Sequence, residues 1–161
     1  IGVKEIRAMH LARKFSDVGY HWVIRRNGRI EAGRAESQAG AHVSGFNSRS
    51  LGVCLVGGVK PDGKTAECNF TAEQYRALAW LLASLKQRYP AAEVLGHRDL
   101  SPDRNGDGKI SRNEWLKECP TFDVRPWWES ARPKPAAAAP ASDSSSAAVV
   151  ARSAPDPTRP G

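Results

Sequence analysis

Residues Phe70–Leu100 read FTAEQYRALAWLLASLKQRYPAAEVLGHRDL. Two elements of different period follow one another in this stretch. Thr71 is a good N-cap, and Gln74 three residues later completes a reciprocal capping pair. Phe70 and Tyr75 stand at the hydrophobic staple positions around that cap. Tyr75, Leu78, Leu82, Leu85 and Tyr89 recur at helical spacing, and Pro90 ends the run. The spacing predicts a core helix without catalytic content. Val94 and Leu95 then predict a short strand that carries Gly96 and His97 to its end.

The same alternation extends in both directions. Val3 to Phe15 is predicted helical, with Val3, Ile6, Met9 and Arg13 on successive turns. YHWVIRRNGRIEAGR, Tyr20–Arg34, predicts a β-hairpin in which Asn27-Gly28 supplies the positive φ angles of a type I′ turn. Leu51–Val56 is a continuous apolar run, as expected of a buried strand. A last short helix is expected near Pro126–Glu129, with Trp127 and Trp128 closing the core. These elements sum to an α/β domain with a mixed central β-sheet flanked by helices. No internal repeat is present.

At 161 residues the chain is expected to hold one domain, residues 1–131, followed by a tail. From Arg132 onward Pro, Ala and Ser dominate without hydrophobic period, so residues 132–161 are expected to be disordered. The net charge is +7. It fits either a solvated basic surface or an anionic partner, nucleic acid, membrane surface or acidic cell-wall polymer. Basic residues are not interleaved with stacking aromatics, so nucleic acid is the weaker option. No apolar run approaches the roughly 18 residues that span a bilayer. The opening IGVKEIRAMH is not a secretory signal. Of the three cysteines, Cys54 is expected to be a core thiol, and an odd count gives no disulfide framework.

DRNGDGKISRNE, Asp103–Glu114, carries a second kind of signal. With Asp103 at position one, Asn105, Asp107, Lys109 (through its carbonyl), Ser111 and Glu114 fall at the oxygen-donor positions of a calcium loop, and Gly108 at the sharp turn. The plainer alternative is an acidic turn without metal. No long helix precedes the loop and no second loop is present, so a structural clamp is expected rather than a sensor. His97 and Cys119 flank the clamp. If it folds tightly they meet, and imidazole with thiolate is a zinc-binding combination. Taken singly, a surface histidine and a buried thiol would explain them as well.

VGYHWVIRRNGRIEAGR, GAHVSGFNSRSLGVCLVGG, GHRDLSPD and KECPTFDV together resemble the zinc-dependent N-acetylmuramoyl-L-alanine amidases of the phage T7 lysozyme type, which share a fold with peptidoglycan recognition proteins. The resemblance runs from Ile1 to Trp128. It implies hydrolysis of the amide between N-acetylmuramic acid and the L-alanine of the stem peptide. It implies His97 and Cys119 as zinc ligands, Tyr20 beside the metal, Lys117 as the lysine that assists catalysis, and His42 on a segment bordering the peptidoglycan groove. Taken alone, Tyr20 would read as a core aromatic and Lys117 as a solvated charge. Calcium bound by the inserted loop would be structural.

One departure from the family pattern matters. The family's first zinc histidine lies on a strand before the first helix, and this chain begins at that helix. His10 matches a helix position that is no ligand, and His21 should face away from Tyr20. The chain is therefore expected to lack one strand and one ligand, through truncation. Three functions compete: a bacteriolytic amidase, a non-catalytic peptidoglycan-binding module, and a calcium-binding regulator. A monomer is expected, made in the cytoplasm and acting on the cell wall after release, with no membrane or nucleic-acid partner.

Overall fold

The computed structural model describes residues 1–133 and, as a backbone strand, 148–153. Its elements in chain order are α1 (Val3–Ala12), β1 (Trp22–Ile24), β2 (Ile30–Ala32), β3 (Ser50–Leu55), α2 (Ala72–Arg88), β4 (Glu93–Gly96), α3 (Val124–Ala131) and β5 (Ala148–Ser153). The five strands form one sheet in the order β2-β1-β3-β5-β4. β2 is antiparallel to β1, and the other neighbours are parallel. The sheet is mixed, as expected.

β3 shows how the two faces are covered. All six of its residues are buried. Strand residues alternate between faces. Leu51, Val53 and Leu55 join Leu78, Leu81, Leu82 and Leu85 of α2 and Val124 and Trp128 of α3 in one core. Cys54 and Val56 join Val3 and Ile6 of α1 in another. The sheet thus lies between α1 on one side and α2 with α3 on the other. A parallel strand buried on both faces reads as a continuous apolar run.

α2 starts as its sequence requires. Gln74 N–H donates to Thr71 Oγ1 at 3.1 Å, and Thr71 N–H donates to Gln74 Oε1 at 3.0 Å. The Phe70 and Tyr75 rings meet edge to face at 6.2 Å. Gln74 is also fully buried, and its side-chain amide donates to Val56 O at 2.8 Å. The cap therefore also pins α2 to the end of β3.

Two expectations change. α1 ends at Ala12, and Lys14 turns the chain at φ 64°. The hairpin turn is not type I′: only Gly28 has positive φ, at 83°. Gly28 N–H donates to Arg25 O and Arg25 N–H to Arg29 O, both at 2.9 Å. This is a type I turn followed by a left-handed glycine, the three-residue hairpin loop. A side chain at Gly28 would also lie 2.8 Å from Glu73 O, against the start of α2. Within the segment expected to be a tail, Ala148–Ser153 pairs as β5. A segment flanked by two parallel strands gains ladder hydrogen bonds on both edges, which the Ala/Ser-rich composition does not reveal. The rest of the expected tail, 134–147 and 154–161, lies outside the described residues. The sheet expected to be one strand short has β5 between β3 and β4.

Candidate active site

β4 ends at Gly96, and His97 opens a single 3₁₀ turn, His97–Leu100. Asp99 accepts the Gly96 N–H at 2.7 Å and caps that turn. A β-carbon at Gly96 would stand 2.9 Å from Pro120. The missing side chain lets the Cys119–Pro120 segment lie directly on the end of β4. The Arg98 N–H donates to the Cys119 carbonyl at 3.0 Å. His97 Nδ1 and Cys119 Sγ come to 3.6 Å of each other across 22 residues of sequence. Both side chains are half-buried.

This pair suits a tetrahedral metal. Zinc bonds of about 2.3 Å to sulfur and about 2.05 Å to nitrogen at a tetrahedral angle separate the two donors by about 3.5 Å. The donor set, one imidazole and one thiolate, is a zinc set. Among the described residues, no group of three His, Cys, Asp or Glu side chains could hold a metal ion.

The segment bearing Lys117 and Cys119 is held by more than one bond. Leu116 N–H donates to Ser101 Oγ at 3.0 Å. The Arg98 side chain is buried, ion-paired to Asp123, with its guanidinium carbon 4.1 Å from the centre of the Trp115 ring. Spacing alone did not single out Arg98 or Ser101. Their partners, Trp115, Leu116 and Asp123, stand beyond the loop, and no local periodicity links them.

A groove of about 410 Å³ opens beside the pair, lined by His97, Lys117, His42, Asn47, Phe15 and Arg13 among others. His97, Lys117 and His42 therefore share one groove, from three separate parts of the chain. His42 is 2% exposed and forms the inner wall. Asn47 Oδ1 accepts the N–H groups of His42 and Val43 at 2.8 and 2.9 Å and shapes that turn. The His42 ring lies against Gly52, where a β-carbon would stand 2.6 Å away.

Tyr20 is 1% exposed and packs in the α1 core, its ring tilted against His10 at 5.4 Å. The groove wall is built from other residues. His21 faces the other way, as alternation requires. Its Nδ1 accepts the Gly52 N–H at 3.0 Å, so Nε2 carries the proton and donates to Gln38 O at 2.8 Å. Burial lowers the His21 pKa below the usual histidine value, against the smaller opposing effect of the Gln38 carbonyl.

The loop between the two zinc-type donors is closed by its own side chains. Asp103 accepts the N–H groups of Gly106 and Gly108 at 2.7 and 2.8 Å. Gly106 and Gly108 have φ of 74° and 78°. Glu114 accepts Arg104 N–H at 2.8 Å and Ser111 N–H and Oγ–H at 2.8 and 2.7 Å. These donors, Ser111 foremost, bring its pKa down to about 2. Asp107 caps Lys109 N–H at 2.8 Å and is itself capped by Asn105 at 3.0 Å. The oxygens of the expected calcium donors Asp103, Asn105, Asp107 and Glu114 thus point at backbone N–H groups. The loop has the composition of a calcium site and the closed form of a capped turn.

Comparison with known proteins places these observations in a family. A family model described as N-acetylmuramoyl-L-alanine amidase matches residues 3–114, a span that includes His97 and stops before Lys117 and Cys119. The chain is similar to the endolysin of Klebsiella phage KP32, 45% identical over 129 residues, 80% of this chain and 76% of that protein. It is similar to the endolysin of Escherichia phage T7, 41% identical over 129 residues with the same coverage, 80% and 76%. Among solved structures it is similar to the endolysin N-acetylmuramoyl-L-alanine amidase LysCS from Clostridium intestinale, with a TM-score of 0.60 and 25% identity over 81% of this chain and 72% of that one.

Proposed function

The chain belongs to the N-acetylmuramoyl-L-alanine amidase family, and from that premise we propose that it hydrolyses the amide joining N-acetylmuramic acid to L-alanine in peptidoglycan, with a zinc ion held by His97 and Cys119. The observation that carries the metal reading is the 3.6 Å approach of His97 Nδ1 to Cys119 Sγ, with His97 also lining the groove. When bound, zinc supplies Lewis acidity to such a site.

The remaining roles belong to the chain's own groups. Lys117, in the groove wall two residues before Cys119, places a cation where negative charge develops on the scissile carbonyl oxygen. Tyr20 keeps the proton-donating role that the family resemblance implies, although its ring packs in the α1 core outside the groove wall. His42 and the Asn47-braced turn form the wall along which the stem peptide lies. We further propose that calcium binds Asp103, Asn105, Asp107, the Lys109 carbonyl and Glu114, replacing their N–H partners, and steadies the connector between the two zinc ligands.

A second reading is favoured by one observation. Among the described residues no third metal-type side chain joins His97 and Cys119. A chain with only two ligands would bind peptidoglycan in the same groove without cutting it. The deciding experiment incubates the full chain with purified sacculi and zinc and assays free stem peptide and bound zinc. Release of stem peptide that Cys119→Ser abolishes supports the enzyme. Zinc-loaded protein that binds sacculi and liberates no stem peptide establishes the binding module instead.

A further inference from the structure

α1 stops at Ala12, and the residues that follow build a small platform. The N–H groups of Arg13 and Phe15 both donate to the His10 carbonyl at 3.0 Å, and Lys14 between them turns the chain at φ 64°. The Phe15 ring is thereby folded back against His10, with ring centres 4.9 Å apart. His10 is itself buried and fixed, its Nδ1 accepting the Gly19 N–H at 2.8 Å. The Arg13 guanidinium carbon lies 5.7 Å from the centre of the Phe15 ring. An aromatic face attracts a guanidinium and limits where it can swing.

Arg13 and Phe15 stand in the wall of the same groove as His97 and Lys117. Arg13 and Lys117 are the permanent cations of that wall, and no Asp or Glu of the described residues lines it. Other arginines of this region are committed to the fold. Arg7, earlier on α1, pairs with Asp17 at 2.6 Å, and Arg34 donates to the Val18 and Ala39 carbonyls. Arg13 enters no ion pair among the described residues. A cation in a groove wall without a local counter-charge suits an anionic group on the ligand. The planar fork of an arginine matches a carboxylate two hydrogen bonds at a time.

A stem peptide offers such groups. A second-position glutamate joined through its side chain leaves its α-carboxyl free, and the third residue carries a carboxyl of its own. Each exists either as the acid or as the carboxamide. We propose that Arg13, carried on the Phe15 platform, binds a free carboxylate of the stem peptide and makes the chain prefer acidic stems to amidated ones. This rests on the peptidoglycan reading above and does not depend on the zinc.

The test uses the full chain and soluble muramoyl tripeptides. One pair differs only by carboxyl or carboxamide at the second residue, another only at the third. Calorimetry gives Kd, and release of free peptide gives kcat/KM. The parent chain should bind one acidic form about tenfold more tightly than its amide, and the pair that shows the difference identifies the carboxylate. Arg13 is exposed, so its substitutions leave core packing alone. Arg13→Gln should bring the acid-to-amide ratio close to one, and Arg13→Lys should keep part of it. Arg7→Gln, on the same helix but outside the groove wall, should leave the ratio as in the parent. Equal affinity for acid and amide in the parent, or a preference that survives in Arg13→Gln, overturns the proposal. So does equal weakening of both forms in Arg13→Gln, because a structural role moves both constants and leaves their ratio alone. Selective binding of acidic stems without cleavage upholds Arg13 while the amidase reading fails. Cleavage of acid and amide at equal rates upholds the amidase and removes Arg13 from recognition.

Discussion

The Arg98 N–H donates to the Cys119 carbonyl at 3.0 Å, so the residue following one proposed zinc ligand is bonded directly to the other. The Arg98 side chain extends the same brace, stacking on Trp115 and pairing with Asp123. It is the buried partner, 8% exposed, while Asp123 is 75% exposed. Removing the arginine therefore loses packing and one charged hydrogen bond without burying a lone charge. Arg98→Ala is expected to destabilise the fold by about 2 kcal/mol and to weaken zinc binding by loosening Cys119. Arg98→Lys should recover part of the stability, since it restores the charge without the planar stack. Chemical denaturation and zinc titration check both. Unchanged zinc affinity in Arg98→Ala would show that the brace does not hold the ligand.

Lys117 and Tyr20 divide by environment. Lys117 lines the groove, so Lys117→Ala should leave Tm within about 2 °C and lower turnover on purified peptidoglycan by about 10²-fold or more, as loss of an oxyanion donor does. Tyr20 is fully buried, so Tyr20→Phe removes only a hydroxyl and keeps the ring packing against His10. Turnover is expected to fall by about 10²-fold with the fold intact. Full turnover in Tyr20→Phe would remove the proton-donating role and leave Tyr20 as the core aromatic its packing already makes it.

His21 predicts the pH response of the fold. Its neutral ring uses both nitrogens, one accepting from Gly52 and one donating to Gln38. Protonation would set a new N–H against the Gly52 N–H. The folded pKa is lowered, so the unfolded state takes up a proton first as pH falls. Stability is fully present above the unfolded value of about 6.5 and declines below it, until the folded ring also titrates. His21→Gln should flatten this decline in denaturation curves recorded from pH 8 to 5. A wild-type curve with no slope in that window would contradict the assignment.

Removal of calcium should be felt at the connector. If the metal replaces the N–H partners of Asp103 and Glu114, EGTA lowers Tm of the calcium-loaded chain by several degrees, and Asp103→Ala abolishes that sensitivity. An identical Tm with and without calcium would leave the loop as the capped turn described above.

How much of this was legible beforehand follows from how local each feature is. The α2 cap, its staple and its leucine face involve residues within one or a few turns, so spacing alone located them. The hairpin was legible too, but not its turn type, because Asn-Gly serves both a two-residue and a three-residue loop, and only the φ values tell them apart. β5 escaped notice because a short apolar run in an Ala/Ser-rich segment acquires meaning only between two open strand edges.

Sequence alone determined the α/β order, the helix boundaries near Thr71 and Pro90, and which residues are candidates for the site, because propensity, capping and side-chain type are properties of neighbours along the chain. Tertiary structure alone decided that a histidine and a cysteine 22 residues apart stand within one metal's reach, and that β4 joins the sheet through β5. Both depend on close backbone approaches, at Gly96 and along the parallel ladders, between segments whose separation in sequence carries no distance information.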